Sequence, residues 1–480
     1  MTFSKISQHG YGLLKDNLMQ KELDEIRRYF TVAPKTMGGM MVSTADMSFP
    51  CYRENTKFIY LPLRYGLKTY GLPKTDTTPC CDSIEVDFAG VLRDYQEEAV
   101  GKIISACNDP CRRGGLLCLY PGAGKTTCAL AVVSRLSVKT LIVVHKSFLV
   151  QQWSERIREY VPEAKISLIR GQHIDNSGDI CICTLQSLSM KEYPNDIFHG
   201  FGLVIVDECH HIGAEVFSRA LCKINFRYAI GLSATITRKD GLTKVIKWHM
   251  GDVVYKGEKR KDSVAVDVYK YYSSDPLYNQ ELMMYNGKIN NSAMLNQIAD
   301  FGKRTDFIIG ILSEIKKKDP ARNILVLSDR RNHLKEIEMH AVAIEIGKVG
   351  YYVGGMKEIH LKETENTCDI ILATYSMAAE GMDIPKLDTL VLATPKSDVE
   401  QAIGRIQRKV NVSVSESTCP LVVDIVDNFS LFKRQGEKRM KFYNKMKYDV
   451  HVHVLDKDKD TTINGDDDNV IKGLESFLID

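Results

Sequence analysis

The chain has 480 residues, of which 44% are hydrophobic and 26% charged, and 64 Lys and Arg nearly balance 61 Asp and Glu to leave a formal charge of +3. This is the composition of a globular protein with length for about three domains, and the balance excludes a global polycation, so any basic track for nucleic acid has to be local. No apolar run approaches the roughly 18 residues that would span a bilayer, which excludes a membrane helix, and the amino-terminal stretch lacks an apolar segment of secretory length. The thirteen cysteines are scattered and odd in number. Cys118, Cys128, Cys181, Cys183 and Cys209 sit inside apolar runs, so they read as buried thiols of a reducing compartment and not as a disulfide framework.

Residues 1–90 carry no regular strand rhythm, although KFIYLPLRYGL (57–67) resembles a strand and a turn; they are expected to form a separate accessory domain. From Gly115 the pattern changes. GLLCLY, TLIVVH, DICICT, LVIVDE and YAIGLSAT are short apolar runs separated by amphipathic stretches, a rhythm that predicts an α/β lobe built on a parallel sheet over 91–256. The segment 257–275, with its run GEKRKDSVAVDVYKYYSSD, breaks the rhythm and is expected to be a linker or insertion. A second lobe is expected over 276–455, carried by NILVLSD, DIILAT, DTLVLATP and PLVVDIVD. The tail 456–480, with DKDKDTTINGDDDN, is too polar to bury and reads as disordered.

The first chemistry lies in CLYPGAGKTTCAL. A buried strand runs into a Gly-rich turn and then a helix, so the backbone amides of 122–126 and the helix amino end point to one place where phosphate can sit. The candidate binding stretch is Leu119, Tyr120, Pro121, Gly122, Ala123, Gly124, Lys125 and Thr126. Lys125 would neutralise the β and γ phosphates and Thr126 would offer a hydroxyl to Mg2+. Leu119 stands where the full phosphate-loop pattern has glycine. The partner acid is in LVIVDECHH (203–211): Asp207 at a strand's carboxyl end suits Mg2+ held through water, and Glu208 suits orientation of the attacking water. Cys209, His210 and His211 lack the further ligands a zinc site needs.

Read in order, DECHH, GLSATITR (231–238), ATYSMAAEGMDIP (373–385) and QAIGRIQR (401–408) resemble the ordered motifs of superfamily two helicases. The resemblance implies two RecA-like parallel-sheet lobes in tandem behind an amino-terminal accessory domain, and ATP with Mg2+ as the fuel. LRDYQEEAV (92–100) resembles the adenine-reading element, with Gln96 as the base contact and Arg93 nearby. His145 and Lys146 in TLIVVHKSFLVQQW, and Thr184, Gln186 and Ser187 in TLQSL, resemble strand-gripping motifs that hold phosphates and not bases. Gln401, Arg405 and Arg408 fall on the motif that supplies arginine fingers, one turn apart on a single helix. Gly381 and Asp383 resemble the nucleotide-linked residues of the moving lobe, Thr374 a phosphate contact, and Ser233, Ala234 and Thr235 the relay between lobes; Ile236 stands where many relatives carry proline.

The stretches 140–153, 233–245 and 350–355 are similar to the branch that acts on DNA, and within it to poxvirus-type transcript-release DNA helicases. This implies a DNA-stimulated ATPase moving 3′ to 5′ that helps a viral RNA polymerase release transcripts, with DNA and the elongation complex as partners. It also implies the host cytoplasm, in a viral factory, and packaging in the virion. An RNA helicase of the same superfamily, a duplex translocase that does not separate strands, and a non-catalytic transcription factor are the alternatives. The basic run KRQGEKRMKFYNKMK (433–447), with Phe442 and Tyr443 interleaved, suits a strand path but is read preferentially as a solvated helix face.

Overall fold

The structure is a computed structural model, and it describes residues 3–34, 48–78, 80–194, 197–210, 214–224, 226–234, 240–257, 264–380, 382, 384–407 and 419–454. The chain divides into two compact units, Met1–Lys259 and Arg260–Asp480. Both are α/β, each around its own parallel sheet, as the sequence predicts.

The first unit's large sheet has eight strands in the order His173–Ile174, Ile166–Arg170, Ile180–Thr184, Thr140–Val144, Leu203–Val206, Tyr228–Ser233, Gly114–Cys118, Val253–Lys256. All pairings are parallel except that of the short edge strand His173–Ile174. Gly114–Cys118, Thr140–Val144 and Ile180–Thr184 are buried along their whole length. That is why they read as continuous apolar runs: helices cover both faces, so neither face selects polar residues. Register brings Ser233 beside Cys118 and Val206 beside Gly231. The loops leaving these three strands therefore emerge side by side at the carboxyl edge, where doubly wound sheets bind ligands.

Residues 1–90 do not stand apart. Their five-stranded sheet, through Ile6 and Tyr11, and their helices, through Phe30 and Leu67, share a core with Leu242, Val245 and Trp248 of the large-sheet lobe. Phe30 and Trp248 rings lie 4.6 Å apart and Phe30 and Tyr65 rings 4.8 Å. The expected accessory domain is thus an amino-terminal module that shares a core with the lobe, because its apolar face is finished by a helix, Thr243–Met250, from beyond residue 90. KFIYLPLRYGL forms the strand Phe58–Leu61 followed by the helix Leu63–Tyr70.

The second unit has seven parallel strands in the order Val349–Tyr352, Ile370–Ala373, Ile324–Leu327, Thr389–Leu392, Leu421–Asp427, Ala265–Tyr271, Asp449–Val454. Ala265–Tyr271 corrects the expectation of a linker over 257–275: it lies inside the sheet between two longer-range partners. Its valines Val264, Val266 and Val268 fill the core on one face, while Tyr269 and Tyr271 fill the other. Asp267 and Lys270 gave it a charged look that masked the alternation.

Two ion pairs are buried in this unit on opposite faces of Leu421–Asp427. Arg304 Nε meets Asp427 Oδ1 at 2.6 Å and Arg439 Nη2 meets Asp424 Oδ1 at 2.8 Å, with Tyr278 and Tyr443 hydroxyls donating to the same carboxylates at 2.6 and 2.9 Å. Such pairs are tolerated only when further hydrogen bonds complete them. The basic run 433–447 lies on the helix Ser430–Met446. Its Arg439 and Tyr443 are fully buried and Phe442 packs against the core, while Lys433, Arg434, Lys438, Lys441 and Lys445 are exposed, so the run is an amphipathic helix whose basic face is solvated. The polar tail 456–480 lies outside the described residues.

Candidate nucleotide and nucleic-acid sites

The phosphate loop joins Gly114–Cys118 to the helix Lys125–Leu136. Gly122 and Gly124 have φ of 80° and 81°, in the left-handed region that glycine enters without a Cβ penalty. At Gly124 a Cβ would also come within 2.3 Å of Gln96 Nε2. Gln96 is buried and ties the loop down: its Nε2 donates to the Ala123 carbonyl at 2.9 Å, and its Oε1 accepts from the Arg93 backbone N–H at 2.9 Å. Arg93 Nη1 donates to the Tyr95 hydroxyl at 3.2 Å, and that hydroxyl donates to the same Ala123 carbonyl at 3.0 Å. Both residues expected to read the base therefore first shape the loop. Leu119, in the glycine position of the pattern, is buried with Ala123 in the core under the loop. Its N–H donates to Ser233 O at 3.1 Å, so here a side chain replaces close backbone approach. Tyr120, Pro121 and Thr126 are partly buried along the same stretch.

Asp207 and Glu208 emerge next to this loop. Lys125 Nζ lies 2.9 Å from Glu208 Oε1, and His210 Nδ1 lies 3.4 Å from Glu208 Oε2. Glu208 has φ of 43°, a left-handed conformation that costs a side-chain-bearing residue roughly 1–2 kcal/mol and is typical of functional turns. Trp153 Nε1 donates to Asp207 Oδ2 at 2.9 Å and the Glu208 N–H to Asp207 Oδ1 at 2.9 Å. Burial, and then the neighbouring Glu208 carboxylate, push Asp207 up to about 6, against the pull of the Trp153 hydrogen bond and Lys125. Ser233, buried at a strand end, makes a 2.9 Å hydrogen bond with His210 Nδ1. The acidic motif and the relay motif are thus in direct contact, with Ala234 next in the chain and Thr235 outside the described residues. Cys209 is buried in the core. Trp153 was missed as a site residue; its only signal was a tryptophan closing an otherwise recognised motif.

These positions fit a nucleoside triphosphate with Mg2+. A left-handed glycine cradle, a lysine already on a carboxylate, and an acid at the next strand end are the donors such a ligand requires. When bound, Mg2+ would supply positive charge to the phosphate groups. Among the described residues no group of three or more His, Cys, Asp or Glu could hold a metal by itself; Thr126 and Asp207 would act with the phosphates. Since only ionised Asp207 serves the ion, kcat/KM for Mg2+–ATP, which reports the free protein, is expected to fall below about pH 6, up to tenfold per pH unit. Trp153→Phe, which removes a donor to the charged form, should move that limb to higher pH; a limb that stays in place would disconnect Trp153 from Asp207. The sign for stability is opposite. A carboxyl raised from 3.8 to about 6 binds its proton more tightly when folded, so its contribution to stability is lost as pH rises through that window.

A second site lies in the same unit. His145, Lys146, Thr184, Gln186 and Ser187, the five expected strand contacts of this unit, line one open groove of about 600 Å³ with Ser147, Phe148, Arg170 and Gly171. Ser187 Oγ accepts from the Gly171 N–H at 2.9 Å and bonds Thr184 Oγ1 at 2.7 Å. Arg170 was missed because it ends a strand, Ile166–Arg170, whose alternation was not read. The groove offers cations, hydroxyls and one aromatic ring, a set suited to a sugar–phosphate backbone.

In the second unit, Thr374 precedes the short helix Tyr375–Glu380, and its hydroxyl lies 3.1 Å from Ser376 Oγ. Gln401 and Arg405 are on the helix Glu400–Ile406, with Arg405 Nε donating to the Ala378 carbonyl at 2.7 Å. The helix is described to Ile406, with Gln407 as its carboxyl cap. Arg408, Gly381 and Asp383 lie outside the described residues.

Comparison with known proteins bears on both units. The family model "Type III restriction enzyme, res subunit" matches residues 90–238, and "Helicase conserved C-terminal domain" matches 303–410. The putative ATP-dependent RNA helicase L396 of Acanthamoeba polyphaga mimivirus is 33% identical over 464 residues, covering 94% of this chain and 87% of its own. The putative ATP-dependent RNA helicase QP509L of African swine fever virus is 24% identical over 485 residues, covering 93% and 92%. The structure of S. cerevisiae Dbp5 bound to RNA and ADP BeF3 superposes with a TM-score of 0.52 at 12% identity, covering 80% of this chain and 93% of its own, a likeness of fold alone.

Proposed function

Since this chain belongs to the superfamily 2 helicases, we propose that it is an ATP-driven motor on DNA that moves 3′ to 5′ and strips nascent transcripts from a viral RNA polymerase. The observation that carries the ATPase part is the convergence of Lys125, Asp207 and Glu208, with Lys125 Nζ 2.9 Å from Glu208 Oε1, at one sheet edge. In this reading Lys125 holds the β and γ phosphates, Asp207 and Thr126 hold Mg2+, and Glu208 orients the attacking water. Arg405 and Arg408 act as arginine fingers with Gln401 beside them, while Gly381 and Asp383 link nucleotide state to the strand held at Thr374. The groove at His145 and Arg170 supports backbone contact independent of sequence.

The DNA preference, transcript release and host-cytoplasm setting rest on the resemblance of 140–153, 233–245 and 350–355, and the viral relatives support a viral protein. A second reading, an RNA helicase, is favoured by the names of the mimivirus and African swine fever virus relatives. Strand displacement separates them. ATP-dependent displacement from a DNA duplex with a 3′ overhang, and release of transcripts from stalled elongation complexes, support the DNA motor. Displacement confined to RNA duplexes moves the protein to the second reading. Arg170→Ala is expected to lower the slope of log K against log salt on single strands by about 0.7, the share of one phosphate contact; an unchanged slope would take Arg170 off the path.

A further inference from the structure

Helix Leu63–Tyr70 of the amino-terminal module carries Arg64, which is only 6% exposed. Its Nη2 reaches three backbone carbonyls, of Arg113, Phe226 and Arg227, at 3.1, 3.3 and 3.2 Å. Its Nε is buried with no hydrogen-bond partner among the described residues, and so is Nε2 of His249, itself 7% exposed. Both side chains line the same cavity of about 30 Å³, together with Arg53, His9, Tyr60 and Cys222. Arg53 forms no ion pair among the described residues, and no carboxylate among them lines the cavity.

A guanidinium withdrawn from water ordinarily meets a carboxylate, and buried donors are ordinarily satisfied. Carbonyl dipoles answer part of the first need and none of the second, because Arg64 Nε and His249 Nε2 have no hydrogen-bond partner among the described residues. Two guanidinium groups around one small, partly open space, unopposed by acid, make a receptor for a compact anion. The space is roughly two to three times the minimum for one water, which excludes a nucleotide and seats a tetrahedral oxyanion only with some of its oxygens in the open mouth. His9 is exposed and Arg53 partly so, which gives the anion a way in. Val204 and Ala229, also in the lining, lie toward the amino ends of their strands. The cavity is therefore on the opposite edge of the sheet from Lys125 and Asp207 and is a different site from the phosphate loop.

We propose that this cavity binds a small inorganic oxyanion of the phosphate class, which serves as the counter-ion of Arg64 and fastens the amino-terminal module to the large-sheet lobe. Burial, with the Arg113 charge adding to it, holds the Arg64 guanidinium down at about 9, and burial with the Arg64 charge holds His249 at about 3; a bound anion would relieve both.

The test is thermal unfolding of the full chain against inorganic phosphate, at constant ionic strength balanced with chloride, in a Lys125→Ala background that removes the phosphate-loop lysine. The expected result is a saturable rise in Tm. Arg53→Gln, at the mouth, should shift its midpoint to about tenfold higher phosphate, one charge-assisted contact's worth, and Arg64→Met should abolish it if that variant folds. No saturable rise, a rise that chloride reproduces, or an unchanged midpoint in Arg53→Gln overturns the proposal. Because the readout is stability without nucleotide, its failure is distinct from failure of the ATPase reading.

Discussion

Lys125→Ala is expected to lower kcat for ATP hydrolysis by at least about a hundredfold while leaving nucleic-acid affinity within about twofold. Two losses combine. The γ phosphate loses its preorganised cation, and Glu208 loses the ammonium now 2.9 Å from its Oε1, so the partly buried carboxylate is left to repel an anionic substrate. Nucleic-acid affinity is spared because the groove at His145, Lys146 and Arg170 is a separate surface of the same unit. Steady-state hydrolysis with fluorescence-anisotropy binding reads both; a variant keeping most of its turnover would remove Lys125 from the phosphate site.

The second large effect is expected for Glu208→Gln. The amide keeps the shape and can still accept from Lys125, but it cannot take a proton, so turnover should drop about 10²- to 10⁴-fold, the range for loss of a positioned general base. ATP should bind as tightly as before or more tightly, since a negative charge beside the phosphates is gone. The left-handed φ of 43° at Glu208 aims the group, and glutamine has the same backbone constraints, so strain does not confound the comparison. Single-turnover hydrolysis with a direct nucleotide-binding measurement separates the two quantities. Normal turnover would exclude Glu208 from activating water.

The parts of the molecule that sequence revealed share one physical property: their signal is local. The strands Gly114–Cys118, Thr140–Val144, Ile180–Thr184, Leu203–Val206 and Tyr228–Ser233 are buried on both faces and so announce themselves as apolar runs. The phosphate loop is legible because glycine and lysine spacing encodes its backbone path. What stayed hidden depends on partners far along the chain. Ala265–Tyr271 looks charged until its neighbours at 421–427 and 449–454 pair with both its edges and two cores cover its faces. Residues 1–90 look independent until Trp248 completes their core. Arg439 looks solvated until Asp424 is found beneath it. Trp153 looks like packing until its indole N–H is seen on Asp207, 54 residues away in sequence. In each case the missing term was tertiary burial, which neither composition nor period carries.

The central claim, a motor whose ATP hydrolysis is driven by nucleic acid, is tested most directly by steady-state ATPase activity at fixed salt without polymer and then with single-stranded DNA, duplex DNA or RNA. Salt must be held constant because phosphate contacts make affinity salt-dependent. The expected result is strong stimulation by polymer, greater with DNA than with RNA. Hydrolysis that is the same with every polymer and with none would contradict the account.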